Sequence, residues 1–420
     1  MNGKERIQAT LEHREPDKVA MDLGGTAVTG IAASALQDLK QVLGVPGAEE
    51  RTKVVDPFQM LGEVTDALRD ELGIDTQPVS SQYNFYGFKN ENWKPWVLFD
   101  GTPVLVPGKF NTEPDEDGDI YQYPQGDRSV EPCAKMPRDG YYFDAIMRQP
   151  PIDDEELDPA DNCQEFGPIG EDELDQLRGE VERLKANDDR ALVGNFLDVS
   201  FGDIALVPGP TVKHPRGIRD VEEWYVSTVT RREYVREVFR RQCEIGIEDL
   251  EKIHDELGEA IDVVFITGTD FGTQNGPFIS PDDYRDLYKP FHQRVNNWIH
   301  ENTTWKTFIH SCGGVEPLID EFVDAGFDIL NPVQCSAEDM DPEHLKEKFG
   351  DRITFWGGAI DTQKTLPFGT PEEVREQVRR RVDIFAQGGG FVFNAIHNIQ
   401  ARTPPENLEA LFKAFQECRE

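Results

Sequence analysis

Short apolar runs recur through the second half of the sequence and constrain the fold more than any other feature. These runs are rich in Val, Ile and Phe: ALVGNFL (191–197), DVVFITG (262–268), KTFIHSC (306–312), FDILNPV (327–333), RITFWGG (352–358) and GFVFNAI (390–396). Stretches with helical periodicity, such as EEVREQVRRRVDIFAQ, separate them. Because the runs are apolar on both faces, they indicate parallel strands covered by helices.

Two further candidates near the amino terminus, VAMDL (19–23) and DTQPVSS (75–81), bring the number of predicted strands to about eight, as in a (β/α)₈ barrel. A doubly wound sheet is the alternative, but no GxGxxG motif follows the first strand, so a dinucleotide site has little support. We therefore predict an α/β fold in which residues 1–420 form one (β/α)₈ TIM-barrel domain.

Residues 83–150 have a different pattern, which interrupts the barrel after its second strand. The segment YNFYGFKNENWKPWVLFDGTPVLVPGKF alternates apolar and polar residues on both sides of an Asp-Gly turn. This arrangement predicts an antiparallel β-hairpin insertion. Its aromatic residues, among them Trp93, Trp96, Tyr121 and Tyr123, are expected to form either the core of the insertion or a lid or docking surface.

The acidic composition excludes several classes of partner. The chain has 80 Asp and Glu against 43 Lys and Arg, a formal net charge of −37, and its 25 Phe residues exclude a disordered acidic chain. Such a charge disfavours binding to nucleic acid or to an anionic membrane surface. It suits a protein from a salt-accumulating halophile, because salt screens the self-repulsion; an ordinary acidic enzyme is the alternative.

The sequence also predicts the cellular compartment. Its six cysteines are scattered along a long chain, which is not the pattern of a disulfide framework. The amino-terminal sequence lacks the apolar core of a signal peptide, and no apolar run has the length of a membrane span. We expect a cytoplasmic protein.

Polar residues at the predicted strand ends mark the candidate site, because active sites of (β/α)₈ barrels lie at the carboxyl ends of the strands. These residues are Asp22, Asn195, Asp270, His310, Cys312, Asn331, Gln334, Cys335, Asp361, Asn394, His397 and Asn398. His310 and Cys312 are two apart on one strand, so both side chains point to the same face and could bind Zn²⁺. Cys335 or His397 is the candidate third ligand. The alternative is a packed histidine beside a free cysteine.

Several motifs along the chain resemble the uroporphyrinogen decarboxylase superfamily, which includes cobalamin-dependent methyltransferases. They are RIQATLEHREPDKVAMDLGGT at the amino terminus, TGTDFGTQNGPFISPDDYRDLYKPFHQRV (267–295), FIHSCGG (308–314), GFDILNPVQ (326–334), FWGGAIDTQ (355–363) and GGFVFNAIHNIQARTPPENLEAL (389–411). The resemblance implies a (β/α)₈ barrel, in agreement with the number of predicted strands.

The methyltransferase branch of this superfamily implies a zinc site. Its members have His-x-Cys and a later third ligand, usually Cys, shortly before a TP-x-EN segment. In this chain the ligands carried over are His310, Cys312 and His397, and His397 stands where the family usually has that Cys. Cys335 is the alternative third ligand if His397 does not bind. The resemblance also implies methyl transfer between a corrinoid and a thiol or tetrahydrofolate-type acceptor. We expect a separate protein to carry the corrinoid, because the chain has no DxHxxG-like cobalamin-binding segment. A homodimer is the oligomeric state considered.

Other residues receive roles in the same interpretation. Asp270 and Asp22 are the candidate catalytic carboxylates, whereas Gln274, Asn394 and Arg402 are candidate substrate contacts. Three alternatives stay open: a uroporphyrinogen decarboxylase, a metal-free decarboxylase or lyase acting through Asp22 or Asp270, and a non-catalytic binding barrel. The first is disfavoured because DLGGTAVTG replaces the arginine-rich RQAGRY-type segment that would bind the substrate carboxylates.

Overall fold

The structure is a computed structural model that describes residues 1–187, 189–196 and 199–419. Its strands are β1 (Ala20–Met21), β2 (Thr52–Asp56), β3 (Leu61–Gly62), β4 (Thr76–Ser80), β5 (Lys94–Val97), β6 (Pro103–Val106), β7 (Ile120–Gln122), β8 (Ala134–Met136), β9 (Asp144–Ala145), β10 (Ala191–Asn195), β11 (Val263–Thr267), β12 (Gly272–Thr273), β13 (Gly276–Pro277), β14 (Lys306–His310), β15 (Ile329–Asn331), β16 (Thr354–Trp356) and β17 (Phe391–Phe393).

Helices follow most of the barrel strands. They are α1 (Gly3–Leu11), α2 (Ala33–Leu43), α3 (Asp66–Leu72), α4 (Glu171–Asn187), α5 (Val221–Thr230), α6 (Arg232–Leu257), α7 (Pro281–Asp283), α8 (Lys289–Asn302), α9 (Glu316–Asp324), α10 (Pro342–Phe349), α11 (Thr365–Phe368), α12 (Pro371–Phe385) and α13 (Pro405–Cys418). In the described ranges, no helix combines the length and apolar character that crossing a membrane requires.

The eight predicted strands form one parallel sheet, and this confirms the barrel. Its order is β1-β17-β16-β15-β14-β11-β10-β4. The two end strands also meet, because the Asp75 N–H donates to the Met21 carbonyl at 2.8 Å. The predicted strand 191–197 is observed to Asn195, and its last residue, Leu197, lies outside the described residues.

Apolar side chains fill the interior of the barrel, as expected for strands that are buried on both faces. Val193, Val263, Phe308 and Trp356 belong to one buried cluster, in which the Phe308 and Trp356 rings pack edge to face at 5.6 Å. The middle of the barrel interior is therefore mainly apolar.

The segment after the second barrel strand contains the antiparallel hairpin that its Asp-Gly turn predicts. β5 and β6 pair antiparallel with Val97 opposite Pro103. β6 also pairs in parallel with β2, which follows the first barrel strand, and this gives a four-stranded sheet of order β3-β2-β6-β5. β7, β8 and β9 form a second small sheet. Trp96 packs on Phe110 at 5.3 Å, so this tryptophan contributes to the core of the insertion.

Candidate metal centre

Strand β14 supplies two of the predicted ligands. It ends at His310, and Cys312 follows two residues later with its Sγ 3.4 Å from the His310 Nε2. His310 is 4% exposed, whereas Cys312 is only partly covered. The two potential donors therefore converge from one strand end.

His397 completes the group from the loop after β17. The ligand atoms of His310, Cys312 and His397 all lie within 4.8 Å of one another, and the two imidazole rings cross at 76° with centroids 5.3 Å apart. Among the residues that the structure describes, no other group of three His, Cys, Asp or Glu side chains meets the same criterion. The three residues carried over from the family resemblance thus meet at one point.

The orientation of His310 is set by Asn331. The Asn331 Nδ2 donates to the Trp356 carbonyl at 2.8 Å, and this identifies Oδ1 as the acceptor that faces the His310 Nδ1 at 2.6 Å. The Nδ1 of His310 must therefore carry the ring proton, which leaves a lone pair on Nε2 toward Cys312. Metal-binding histidines commonly have such an outer partner.

His397 is held differently. Its Nδ1 accepts a hydrogen bond from the backbone N–H of Asn398 at 2.8 Å. In the neutral ring the proton then lies on Nε2, so coordination of a metal by this nitrogen requires the ring to give up the bond to Asn398. The two histidines of the group therefore differ in how far their rings are prepared for a metal.

Burial keeps both imidazoles neutral. It lowers the pKa of His310 to about 4, and it lowers the pKa of His397 to about 4, with the neighbouring His310 ring acting in the same direction. Neutral imidazole is the form that binds metal ions. Both histidines of this group are therefore in the neutral form that coordination requires across the neutral pH range.

Asp270 lies against the same group. Its Oδ1 accepts a hydrogen bond from the Cys312 backbone N–H at 2.6 Å and lies 3.9 Å from the His310 Nε2. Burial raises the pKa of Asp270, and burial together with the Asp270 and Asp203 carboxylates raises the pKa of the Cys312 thiol. In the metal-free protein the thiol is therefore protonated, and binding a divalent cation would release that proton.

Asp22, the other predicted catalytic carboxylate, has a different set of contacts. Its Oδ1 accepts from the Gly25 N–H at 2.9 Å and the Thr76 hydroxyl at 2.6 Å, and its Oδ2 accepts from the Trp356 indole N–H at 2.9 Å. The residue is 1% exposed. These bonds join the segment after β1 to β4 and β16, and the three candidate ligands are not among the hydrogen-bond partners of Asp22.

The three predicted substrate contacts lie in different surroundings. Asn394 is buried, and its Nδ2 donates to the Asp22 carbonyl at 2.9 Å. Gln274 lies in the exposed turn between β12 and β13, and its Nε2 donates to the Gln363 Oε1 at 3.3 Å. The exposed Arg402 guanidinium stacks over the Tyr141 ring of the insertion at 4.3 Å. The structure does not bring Gln274 or Arg402 into contact with the candidate ligands.

Cys335, the fallback ligand, does not join the group of three. Burial raises the pKa of its thiol to about 11. Asn331 contacts the centre but received no role from the sequence. Asn331 does stand at a predicted strand end, but its pairing with His310 depends on the register between β14 and β15.

The donor set fits zinc. Two imidazole nitrogens and one thiolate are ligands that Zn²⁺ prefers, and three protein ligands with a free fourth position are typical of catalytic zinc sites. The outer hydrogen bond from His310 to Asn331 is the type of contact that orients a zinc ligand. Fold and site together therefore define a (β/α)₈ barrel with a candidate zinc centre at the carboxyl ends of its strands.

Comparison with known proteins finds similarity to one enzyme family. Residues 216–418 match the family model of uroporphyrinogen decarboxylase (URO-D). The uroporphyrinogen decarboxylase of Psychromonas ingrahamii is 24% identical over 176 residues, 40% of this chain and 47% of the relative. That of Pseudoalteromonas atlantica is 21% identical over 206 residues, 46% of this chain and 55% of the relative. The chain thus spans about half the length of these curated relatives.

A solved structure has a similar fold over almost the whole chain. A methyltransferase from Methanosarcina mazei superposes with a TM-score of 0.56 and 18% sequence identity, covering 99% of both chains. The family match, the curated relatives and this structure confirm the resemblance to the uroporphyrinogen decarboxylase superfamily that the sequence motifs predict.

Proposed function

We propose that this protein is a zinc-dependent methyltransferase that moves a methyl group between a corrinoid and a thiol or tetrahydrofolate-type acceptor. The observation that carries the proposal is the group formed by His310, Cys312 and His397, whose ligand atoms lie within 4.8 Å of one another. The overall likeness to the barrel of a methyltransferase supports the same assignment. Cys312 and His397 are partly exposed, as a site that receives an acceptor thiol requires.

His310, Cys312 and His397 would hold the zinc ion, with Asn331 keeping the Nε2 lone pair of His310 directed toward Cys312. When bound, zinc supplies the Lewis acidity that favours the thiolate form of the acceptor. Asp270, with its pKa raised by burial, is the carboxylate suited to accept the thiol proton. The acceptor sulfur then forms a bond to the methyl carbon, and the cobalt–carbon bond breaks with its electron pair left on cobalt.

The test is whether the zinc-loaded protein demethylates methylcobalamin in the presence of 2-mercaptoethanol. The change in the absorption spectrum of the corrinoid measures the reaction rate. We expect Cys312→Ser to slow the reaction at least about 100-fold, because loss of metal activation removes several kcal/mol of stabilisation. Cys163→Ser, which changes a partly covered cysteine whose thiol faces the Val238 carbonyl, is the matched control. Equal rates in the wild type and Cys312→Ser would overturn the proposal.

Uroporphyrinogen decarboxylation is the second candidate, because the matched family model and curated relatives carry that name. Residues 22–30, at the turn after β1, contain no arginine or lysine that could bind the substrate carboxylates. We therefore expect no carbon dioxide release when the protein is incubated with a uroporphyrinogen. Rapid release in Cys312→Ser as well as in the wild type would favour the decarboxylase.

A further inference from the structure

A cavity of about 900 Å³ lies between the insertion and the barrel, and this volume is typical of sites that bind small molecules. Five parts of the chain form its wall: the insertion, the segment before α4, the loop region after β10, α6 and the ends of barrel strands. One lining residue from each part is, in that order, Tyr83, Phe166, Val212, Gly246 and Asn195. Because Asn195 is the last residue of β10, the cavity lies toward the carboxyl ends of the strands.

A single residue links the wall of this cavity to the candidate metal centre. Ala27 belongs to the wall, and its carbonyl accepts a hydrogen bond from the Asn398 Nδ2 at 2.8 Å. The Asn398 backbone N–H in turn donates to the His397 Nδ1 at 2.8 Å. The cavity is therefore a neighbour of the centre but has its own set of lining residues.

Glu173, in the first turn of α4, contributes an unpaired carboxylate oxygen to the wall. The residue is 8% exposed, and its Oε2 has no hydrogen-bond partner among the described residues. Buried polar atoms of native proteins nearly always have a partner, so an unpaired acceptor in a cavity wall indicates a donor that a ligand supplies. The first turn of a helix also favours negative charge at this position.

The other Asp, Glu and Lys side chains of the wall already have partners. They are Glu165 with Arg219 at 2.7 Å, Lys213 with Asp127 at 2.6 Å, and Asp249 with the backbone N–H of Ile169 at 2.8 Å. Among the described residues that line the cavity, no lysine or arginine is therefore left unpaired for an anion. This wall favours a ligand that donates hydrogen bonds.

Aromatic side chains supply much of the remaining wall. They are Tyr83, Phe85, Phe166 and Phe196. Phe85 already stacks on Phe58 of the insertion core, with ring centroids 4.1 Å apart. Aromatic side chains bind planar rings by stacking and edge-to-face contacts, which add to the burial of apolar area. The cavity therefore suits a flat ligand.

We infer that this cavity binds a planar heterocycle with two adjacent N–H donors, such as the 2-amino-4-oxo edge of a pterin. That edge donates to the Glu173 carboxylate, and the aromatic side chains pack against the ring. A carboxylate accepts two parallel hydrogen bonds from such an edge, as it does from a guanidinium group. Within the proposed function, on which this last identification rests, the ring belongs to the tetrahydrofolate-type acceptor.

The experiment measures binding of three small compounds to the full-length protein by equilibrium dialysis. Pterin carries the ring and both donors, lumazine has an oxygen in place of the 2-amino group, and ethylguanidine has paired N–H donors without the ring. At a pH where pterin and lumazine are both uncharged, we expect pterin to bind at least about 10-fold more tightly than either of the others. The reason is that only pterin combines hydrogen bonds to a carboxylate with aromatic contacts.

Glu173→Gln tests the role of the carboxylate, and Glu171→Gln is its matched control, because Glu171 is exposed in the same turn of α4. We expect Glu173→Gln to weaken pterin binding at least about 10-fold and to bring pterin and lumazine closer in affinity, since the amide presents only one acceptor oxygen. Glu171→Gln should leave both affinities unchanged. If Glu173→Gln does not fold, the comparison of the three compounds on the wild type still decides.

The outcomes distinguish this site from the proposed function. Equal or tighter binding of lumazine or ethylguanidine, or no binding of any compound, overturns the site, as does pterin binding that Glu173→Gln leaves unchanged. Because the dialysis needs neither zinc nor a corrinoid, these results leave the methyltransferase proposal intact. Pterin binding that depends on Glu173, together with no methyl transfer to any acceptor, has the opposite meaning: the cavity binds the ring, but the proposed reaction fails.

Discussion

The two ends of the barrel differ in how their buried charged groups are paired. At the amino-terminal end, the Asp75 carboxylate bonds Arg6 at 2.5 Å and Arg419 at 2.6 Å, and all three residues are at most 5% exposed. At the carboxyl end, Asp270 lies 3.9 Å from the His310 Nε2 and accepts from the Cys312 backbone N–H, and no lysine or arginine among the described residues forms an ion pair with it. The first cluster joins both chain termini to β4, as expected of a stabilising end. The second has unbalanced polar groups, as expected of a binding site.

The largest expected effect concerns metal binding at the carboxyl end. His310→Ala should weaken zinc affinity by more than about 100-fold, since loss of even an outer-shell partner typically costs about 10–100-fold. The free energy of unfolding of the metal-free variant should fall far less than in a variant of the amino-terminal cluster. Isothermal titration with zinc, combined with urea unfolding, measures both. Unchanged zinc affinity would contradict the assignment of His310 as a ligand.

A variant of the amino-terminal cluster should lose stability but keep its zinc affinity. Asp75→Asn removes the carboxylate that Arg419 shares with Arg6, which keeps its pair with Asp17, and breaking a buried pair in this way costs about 3–5 kcal/mol. We expect the free energy of unfolding to fall by that amount while zinc affinity of the folded protein is unchanged. A variant with normal stability would mean that water satisfies Arg6 and Arg419 without Asp75.

Asn331 allows a smaller and more specific change at the carboxyl end. Asn331→Ala removes the acceptor that holds the proton on the Nδ1 of His310, so zinc affinity should fall about 10–100-fold. Asn331→Asp keeps an acceptor and should recover most of that loss. Equal affinities of the two variants would show that Asn331 acts through packing alone.

Eight strand positions and the convergence of His310 with Cys312 could be predicted from the sequence, because a doubly buried strand is apolar throughout and residues two apart share a face. The strand-end pattern left both Cys335 and His397 open as the third ligand, and only the family resemblance favoured His397. The role of Asn331 depends on register, and the pairing of β2 with β6 joins segments about 50 residues apart, which no local pattern encodes. Likewise, the stacking of Arg402 on Tyr141 depends on where the insertion packs.

The smallest expected effect concerns a buried ionisable group away from both ends. His292 on α8 is fully buried and bonded to the Tyr284 hydroxyl at 2.8 Å, and burial lowers its pKa to about 3. In the unfolded chain His292 takes up a proton near pH 6.5, whereas in the folded protein it stays neutral down to about pH 3. The stability that neutral His292 contributes is therefore complete above pH 6.5 and is lost as the pH falls toward 3.

His292→Phe removes this titration. The slope of unfolding free energy against pH between 5 and 6.5 should become shallower by up to about 1.4 kcal/mol per pH unit. Because Tyr284 loses its partner, stability at pH 7 should also fall by about 1–2 kcal/mol. Urea unfolding at several pH values measures both changes. An unchanged slope would mean that His292 takes up a proton in the folded protein.

The zinc content of the purified wild-type protein tests the central claim most directly. After loading with zinc and removal of excess metal, we predict one zinc ion per chain in the wild type and in Cys163→Ser, and none in Cys312→Ser. Elemental analysis of the three proteins, matched in concentration and confirmed as folded, gives the answer. A wild-type protein without zinc, or a Cys312→Ser protein that keeps it, would contradict the assignment of His310, Cys312 and His397 as a metal centre.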